Sequence, residues 1–321
     1  FLHEDGSIGD VQSVRVNRFG ERESIGRRSE PLVIPTTVDY NLWLGPAQDQ
    51  PIYRDRLHYD WHWNWNTGSG EMGNWGVHIM DDVRNNVFLD KISMPSSITA
   101  AGGRVAWNDA GNTPNVHFAM LDAAGVPVVV TLSNLPIDKE SIKIPGPGSG
   151  YIAYCSEGSL HGQRGGATAF DADGKIVKKF KGEGGNGRHQ QNFVDAVRAE
   201  NPGMLKAPAH IGNDSTGWCN LINVASRVPQ SGSLATLEML PTQFGSTRTT
   251  EILNQLKAIV SANDSSAAGE ALTLGPMLSF DSDSQQFVGS HANQANTLLR
   301  RNDRAAFAVP EISVVQRPGA K

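Results

Sequence analysis

The sequence has only two cysteines, Cys155 and Cys219, which lie far apart and do not form a CxxC pair. This scarcity excludes a disulfide framework of the kind that stabilises small secreted domains, and it excludes a cysteine-based zinc site. We interpret both residues as small apolar side chains that are buried in the core.

An excess of positive charge is also absent. The chain has 28 Lys and Arg against 33 Asp and Glu, which gives a formal net charge of -5. Such a chain has no basic footprint for nucleic acid or for an anionic membrane surface. No run approaches the roughly 18 apolar residues that a membrane-spanning helix requires. We therefore predict neither a nucleic-acid partner nor a membrane partner.

Several motifs that carry chemistry are missing. There is no GxGxxG after a strand and no GxxxxGK[ST], so no cradle for the phosphates of a dinucleotide or nucleotide is visible. The GxSxG elbow of serine hydrolases and the HExxH motif of zinc proteases are absent as well. The sequence therefore does not indicate a nucleotide-binding loop, a serine hydrolase or a zinc protease.

The first ten residues, FLHEDGSIGD, lack the basic, apolar and small-residue order of a signal peptide, and the chain begins with Phe1 rather than Met. We therefore expect a processed product, an excised domain or a fragment. Localisation stays open between the cytoplasm and export to the periplasm, because an export signal would precede Phe1.

Hydrophobic periodicity predicts a mixture of strands and helices. Alternation over Val11–Phe19 predicts a half-buried strand, and further strands separated by turn signals follow between residues 97 and 180. Apolar residues at helical spacing predict four helices, at residues 76–89, 189–201, 211–228 and 249–264. From Ser265 onward the chain is polar and weakly periodic, which favours a tail that wraps the domain.

The most informative stretch is His58 to Asp82, HYDWHWNWNTGSGEMGNWGVHIMDD. It contains three histidines, four tryptophans, three asparagines, three aspartates, one glutamate and four glycines. Aromatic rings interleaved with hydrogen-bonding side chains are what a carbohydrate pocket needs, because sugar rings have apolar C–H faces and polar hydroxyls. We predict that this stretch forms the floor of a pocket for a polar substrate.

The alternation WHWNW would place Trp61, Trp63 and Trp65 on one side of a strand, with His62 and Asn64 on the other. The tryptophans would then be available for sugar stacking. The alternative is that they bury one face of a sheet.

Asn74 and His78 are four residues apart, so on a helix they share a face and can reach one substrate hydroxyl. Imidazole is the natural proton acceptor near neutral pH, and a neighbouring amide can orient the hydroxyl. We predict His78 and Asn74 as catalytic. Asp81 and Asp82 follow, and they either orient His78 or stabilise the helix.

A metal site at His58, His62, His78 and Asp81 is an alternative, but these residues lack a recognised metal-ligand spacing, so we predict no metal. Arg104 follows a predicted strand and could reach the pocket, the alternative being an ordinary surface arginine. The predicted substrate-binding residues are His62, Trp63, Trp65, Asn66, Glu71, Trp75, Asp81 and Arg104.

An ordered set of motifs resembles the C-terminal domain of the Gfo/Idh/MocA oxidoreductases. The matching stretches, in order, are GSIGDVQSV, YNLWLGPA, WHWNWNTGSGEMGNWGVHIMD, MPSSITAAGGR, TPNVHF, SEGSL, RHQQNFVDAVRAEN and AHIGNDSTGWCNLINVASRV. They extend from Gly6 to Arg227, and the resemblance depends on their combined order rather than on any single motif.

The resemblance implies an α+β fold with an open, mostly antiparallel β-sheet and helices packed on one face. In such proteins an N-terminal Rossmann domain holds NAD or NADP and supplies a catalytic lysine, while the second domain binds a sugar or cyclitol and mediates oligomer contacts. A recurrent Asp-x-x-x-His pair of the family falls on Asn74 and His78. Here Asn replaces Asp, as in a family branch with GN-x-G-x-H, so substrate orientation is the role that we assign to Asn74.

We therefore predict a substrate-binding and oligomerisation domain over residues 1–264, a tail over residues 265–321, and no Rossmann domain in this chain. The parent protein would be an NAD(P)-dependent oxidoreductase, whereas this chain alone would bind no cofactor. Two alternatives remain: a redox-assisted glycosidase or lyase of the same superfamily, and a cofactor-free carbohydrate-binding module. A homo-oligomer is expected, because an open sheet with one uncovered face exposes apolar surface.

Overall fold

A computed structural model of the protein describes residues 1–4, 6–182, 185, 187–228, 247–263 and 272–309. Eleven strands within these ranges form one sheet, in the order β11-β10-β2-β3-β4-β1-β5-β6-β7-β8, with β9 beside β2. The strands are β1 (Val11–Phe19), β2 (Ser97–Gly103), β3 (Val116–Ala123), β4 (Val126–Ser133), β5 (Ser149–Cys155), β6 (Gly158–Gln163), β7 (Gly166–Asp171), β8 (Ile176–Lys181), β9 (Thr273–Leu274), β10 (Leu278–Asp281) and β11 (Gln286–Val288).

The described helices lie between and after these strands. They are α1 (Tyr40–Leu44), α2 (Val77–Phe88), α3 (Arg188–Arg198), α4 (Ala209–Ala225), α5 (Thr247–Asn263) and α6 (Ala292–Thr297). The four helices that periodicity predicts correspond to α2, α3, α4 and α5, which confirms those predictions. None of the helices in the described ranges is long and apolar enough to cross a bilayer.

The sheet is open and mostly antiparallel, which confirms the predicted α+β fold. The pairing of β1 with β4 is parallel, and the other pairings are antiparallel. Antiparallel neighbours are joined by short turns, as at the β3–β4 and β6–β7 hairpins. β1 returns from the far N-terminus into the centre of the sheet, between β4 and β5.

Helices α2 and α4 pack on one face of the sheet. Val14 and Val16 of β1 belong to the same buried cluster as Ile79, Val83 and Val87 of α2. Trp218 of α4 is fully buried in this cluster, and its indole Nε1 donates a hydrogen bond to the carbonyl of Ser93 at 2.8 Å. The expectation of helices on one face therefore holds for α2 and α4.

Helix α5 covers the opposite face, which the resemblance did not predict. Its Ile252, Leu256 and Ile259 are buried against Phe118 and Met120 of β3 in a second core cluster. This is why the centre of β1 is buried on both sides rather than half-buried. Arg15, on the α5 side of β1, donates to Gln255 Oε1 at 2.7 Å.

The last described stretch does more than wrap the domain. Leu278 of β10 pairs with Ile98 of β2, so this stretch extends the sheet beyond β2. These strands are only two to four residues long, which is why their periodicity is weak in the sequence. Residues 265–271 and 310–321 of the predicted tail lie outside the described residues.

One end of the sheet positions the candidate site. Arg18, near the end of β1, is opposite Ser149 at the start of β5, and β6 ends on the same side at Gln163. The hairpin turn after β6 and the final residue of β8, Lys181, lie at this end as well. The first turn of the helix that contains α2 reaches Arg18 at this same end, through Glu71 and Trp75.

Candidate functional site

Glu71 is a fully buried carboxylate at the centre of the site. Arg18 donates to its Oε1 from Nε at 2.8 Å and from Nη2 at 2.5 Å. Arg22 lies 3.4 Å from both carboxylate oxygens, and Asn74 Nδ2 donates to Oε2 at 3.3 Å. Two guanidinium groups thus compensate the charge of Glu71, as a carboxylate removed from water requires.

The indole of Trp75 lies among cations. The guanidinium carbon of Arg18 is 4.4 Å from the ring centroid, and that of Arg164 is 5.8 Å away. Both distances are within the range of a cation–π interaction. The imidazole of His78 contacts the same indole edge to face, with 5.5 Å between ring centroids. Trp75 therefore links the Glu71 cluster to the predicted catalytic histidine.

A π-helical turn, Met72–Gly76, precedes α2 and carries Asn74. In an α-helix of 3.6 residues per turn, residues four apart overshoot one full turn. A wider π turn reduces this overshoot, so Asn74 and His78 lie more nearly above one another on the same side. That Asn74 and His78 reach one substrate hydroxyl stays a prediction, and the amide of Asn74 is directed at Glu71 by its hydrogen bond. π turns of this kind occur frequently at functional sites.

His78 is held in its neutral form. Partial burial and then the positive charge of Arg164 lower the pKa of His78, while the negative charge of Asp81 acts in the opposite direction. The resulting neutral imidazole can accept a proton at neutral pH. This is the protonation state that the predicted catalytic role requires.

The two aspartates that follow His78 differ in their surroundings. Asp81 accepts a hydrogen bond from Ser215 Oγ at 2.6 Å, and Ser215 Oγ also accepts from Arg84 at 2.7 Å, so Asp81 ties α2 to α4. Asp82 lines a cavity of about 420 Å³ together with Tyr151. Burial and the neighbouring charge of Asp81 raise the pKa of Asp82 to about 6, against a smaller lowering by Arg164.

The stretch WHWNW does not form a strand, so that prediction was wrong. Asp60–Trp63 is a 3-10 helical turn, in which Trp63 is buried and Trp61 is 38% exposed. The side chain and carbonyl of Asn64 accept hydrogen bonds from the backbone N–H groups of residues 66, 67 and 68. Asn side chains compete in this way with strand pairing, and they convert the alternation into a turn.

As a result, the three tryptophans do not share one face. Trp61 stacks on the imidazole of His62 at 4.0 Å between centroids. Trp63 lies under the guanidinium of Arg22 at 5.8 Å, which connects it to the Glu71 cluster. Trp65 is covered instead by Arg227, at 4.6 Å from the ring centroid.

His62 reaches the cluster indirectly. Its ring contacts Tyr59 and Trp63, at 4.9 and 5.6 Å between centroids, and its Nδ1 is hydrogen-bonded to the carbonyl of Tyr59. The hydroxyl of Tyr59 accepts a hydrogen bond from Arg22 at 3.0 Å. Two of the predicted substrate-binding residues, His62 and Trp63, therefore lie against Arg22 or one residue away from it.

Asn66 and Arg104 are engaged elsewhere. Asn66 exchanges two hydrogen bonds with the backbone of Gln48, at 2.9 and 2.7 Å. Arg104 donates to both carboxylate oxygens of Asp109, at 2.6 and 2.7 Å, and to the carbonyl of Thr113. These contacts fold the loops around the site, and their substrate-binding role stays a prediction.

No group of three or more His, Cys, Asp and Glu in the described ranges is arranged to hold a metal ion. This applies to the alternative set of His58, His62, His78 and Asp81. Both cysteines are buried, and burial raises the pKa of the Cys155 thiol to about 11. Their surroundings agree with the interpretation of core residues.

The sequence did not identify the three arginines of the site. Arg18 falls on the same side of β1 as Val14 and Val16. A cation on the core-facing side of a strand indicates that a buried anion pairs with it. Arg22 continues beyond the strand, and its Nε is buried without a hydrogen-bond partner among the described residues. Arg164 lies in a glycine-containing hairpin turn, and nothing local indicates its contact with Trp75.

Comparisons with known proteins were made on the whole chain. Residues 23–153 match the family model described as the C-terminal alpha/beta domain of the oxidoreductase family, GFO_IDH_MocA_C2. The search of curated proteins found no match. The predicted site residues from His62 to Arg104 all lie inside the matched segment, whereas Arg18, Arg22 and Arg164 lie outside it.

Solved structures of three oxidoreductases are similar to the chain. An oxidoreductase from Thermotoga maritima is 15% identical, with a TM-score of 0.42 over 70% of this chain and 54% of its own. The WlbA dehydrogenase from Bordetella pertussis, solved with NADH and UDP-GlcNAcA, is 14% identical, with a TM-score of 0.40 over 66% and 51%. Biliverdin reductase from Synechocystis sp. PCC 6803, solved with biliverdin and NADP+, is 11% identical, with a TM-score of 0.41 over 69% and 57%.

The chain thus spans between about half and three fifths of the length of these structures. The family model, rather than these distant likenesses, carries the assignment. The similarity to the C-terminal α/β domain of the Gfo/Idh/MocA oxidoreductases is shown for residues 23–153.

Proposed function

We propose that the chain is the substrate-binding and oligomerisation domain of an NAD(P)-dependent oxidoreductase that acts on a hydroxyl of a sugar or cyclitol. The observation that carries this proposal is the imidazole of His78 packed edge to face against Trp75, one helical turn after Asn74, in a segment that matches an oxidoreductase family. A neutral imidazole next to a polar and aromatic surface suits the removal of a hydroxyl proton.

In this proposal His78 accepts the proton of the substrate hydroxyl. Asn74 donates a hydrogen bond to that oxygen or to its neighbour, and Glu71 is a positioning residue that holds Asn74 through Nδ2. Arg18 supports the same arrangement, because it binds Glu71 and covers Trp75.

NAD(P) does not fit the described residues. The sheet is mostly antiparallel, and no glycine-rich strand–turn–helix unit for a pyrophosphate lies in the described ranges. We propose that the nicotinamide cofactor, which would supply hydride chemistry when bound, is held outside the residues of this domain.

Association is proposed through the sheet and its surroundings. The edge strand β8 has Ile176 and Val177 about half exposed, and α3 exposes Phe193 and Val197 on one side. Exposed apolar side chains that are grouped in this way favour contact with another protein surface. Light scattering at micromolar concentration checks this expectation, and a strictly monomeric chain would contradict it.

The experiment that tests the function is a turnover assay with the complete gene product, NAD and NADP, and a panel of aldoses, cyclitols, uronic acids and sugar phosphates. We expect oxidation of at least one compound in the panel. Asn74→Ala should raise KM and lower kcat together, because orientation is lost in both the ground state and the transition state. Asn85→Ala, whose exposed side chain donates to Asp90 near the end of α2, is the matched control and should leave KM and kcat within about twofold.

The same assay separates the alternatives. A redox-assisted glycosidase would cleave aryl glycosides with a catalytic amount of cofactor. A carbohydrate-binding module would bind sugars, as isothermal titration measures, without turnover of any compound. Turnover of aryl glycosides alone, or binding alone, would overturn the proposed oxidation of a free hydroxyl.

A further inference from the structure

A second cavity adjoins the site at the outer hairpins of the sheet. It has a volume of about 550 Å³, and its polar lining residues are His161, Gln163, Arg164, Thr168, Lys179 and Lys181. The described residues that line it include no Asp and no Glu, although acidic residues outnumber basic ones in the chain as a whole. Three cations without a carboxylate produce a positive potential in this cavity.

Among the described residues, Arg164, Lys179 and Lys181 form no salt bridge. Arg164 contacts the ring of Trp75, and its charge acts on the carboxyl of Asp82 without an ion-pair contact. The N–H groups of its guanidinium therefore remain available for hydrogen bonds. A planar guanidinium with free donors matches the oxygens of a phosphate or carboxylate.

Protection of a sheet edge is the ordinary reason for lysines on an outer strand such as β8. Edge protection does not explain why the lysines of β8 lie on two different sides of the strand. Lys178 lies over the rings of Phe1 and Phe180, at 5.3 and 5.2 Å. Lys179 and Lys181, which alternate with it and are paired opposite Thr168 and Gly166, line the cavity. Lys178, which does not line the cavity, can therefore serve as a control for Lys179 and Lys181, which do.

Arg164 connects the cavity to the proposed hydroxyl site. It contacts Trp75, and its charge lowers the pKa of His78, so it lies close to both sites. An anionic group bound at Arg164 and the lysines would leave the rest of the molecule next to Trp75 and His78. The geometry therefore favours one extended substrate over two unrelated ligands.

We propose that the cavity binds an oxyanion, either phosphate or carboxylate, that the substrate carries, so that the substrate is an anionic sugar. For the hydroxyl end of the substrate, the proposal rests on the proposed function. For the oxyanion end, the proposal rests on Arg164, Lys179 and Lys181 alone.

Isothermal titration of the whole chain tests the oxyanion site with inorganic phosphate, glucose 6-phosphate, glucuronate and glucose as probes. We expect the sugar phosphate or the uronate to bind at least tenfold more tightly than glucose, and the preferred one identifies the group as phosphate or carboxylate. Arg164→Gln and the double variant Lys179→Gln/Lys181→Gln should each weaken its binding about tenfold, because charge-assisted hydrogen bonds are lost. Lys178→Gln, the control on the other side of β8, should bind as the wild type does.

Equal weakening by Lys178→Gln, or wild-type binding of glucose as tight as that of both anionic sugars, would overturn the oxyanion site. An anionic sugar that binds no more tightly than inorganic phosphate would overturn the link between the cavity and the hydroxyl site. Failure of the proposed function is seen separately, because His78→Gln should lower kcat about 10²–10⁴-fold without changing the affinity for inorganic phosphate.

Discussion

Arg18 donates two hydrogen bonds to one and the same oxygen of Glu71, from Nε at 2.8 Å and from Nη2 at 2.5 Å. The second oxygen of Glu71 is thereby left for Asn74 and Arg22. This arrangement joins the end of a central strand to the π turn that precedes α2. It also fixes Arg18 above Trp75, so the strand, the turn and the aromatic surface of the site depend on one buried ion pair.

The first prediction concerns the stability of this pair. Glu71→Met leaves the Arg18 guanidinium buried without its carboxylate and should cost about 3–5 kcal/mol in the free energy of unfolding. The double variant Arg18→Met/Glu71→Met should cost less than the sum of the two single variants by at least about 1 kcal/mol. Urea denaturation of the four proteins measures the cycle, and strictly additive costs would contradict the coupling.

The second prediction concerns the charge on His78. Arg164→Gln removes a positive charge, so the pKa of His78 should rise towards its ordinary value. Asp81→Asn removes a negative charge and should lower the pKa further. The pH dependence of the imidazole NMR signals measures both shifts. The two variants should shift the pKa of His78 in opposite directions. A shift in the same direction for both would refute the proposed influence of Arg164 and Asp81.

The third prediction concerns Asp82, whose pKa is raised from 3.8 to about 6. Between these values the folded protein keeps a proton that the unfolded chain has released, so stability falls as the pH rises through this window. Asp82→Asn removes the effect. The free energy of unfolding of the variant should exceed that of the wild type by about 1 kcal/mol at pH 8, because the carboxyl is partly exposed and solvent screens its charge. The difference should disappear near pH 4. A gain that is equal at both pH values, measured by urea denaturation, would exclude this origin.

The fourth prediction separates folding from binding at Arg104. Its pair with Asp109 is buried, so Arg104→Met should cost about 3 kcal/mol of stability. Arg28→Met is the matched control, because its pair with Asp55 is exposed and should be worth less than about 1 kcal/mol. If Arg104→Met instead unfolds like the wild type but binds sugar more weakly, the substrate-binding role predicted from the sequence is correct.

Much of the fold could be predicted from the sequence because it is encoded locally. The alternation of Val11–Phe19 corresponds residue for residue to β1, and the spacing of Ile79, Val83 and Val87 corresponds to the buried face of α2. A period of 2 or 3.6 is recognisable within a single element when the element is long enough, and it locates β1 even though layers on both faces bury the centre of this strand. The short strands β9–β11 lack this property, because two to four residues cannot display a period.

The site was predictable only in part, for a physical reason. Asn74, Trp75 and His78 lie within one helical segment, so spacing alone brings them together. Arg18 and Arg164 reach Trp75 from residues more than fifty positions away, and such contacts depend on strand order and on the end of the sheet where each turn lies. The error at WHWNW has a local cause, since the hydrogen bonds of Asn64 override a pattern that reads as a strand.

The most direct test of the account is the rate of sugar-dependent nicotinamide reduction by the complete gene product with His78→Gln. Glutamine keeps the size and polarity of the side chain but cannot accept the proton, so kcat should fall about 10²–10⁴-fold while the unfolding curve is unchanged. His58→Gln, at an exposed position before the site, should retain the wild-type rate. A His78→Gln protein that oxidises its sugar within twofold of the wild-type rate would contradict the central claim.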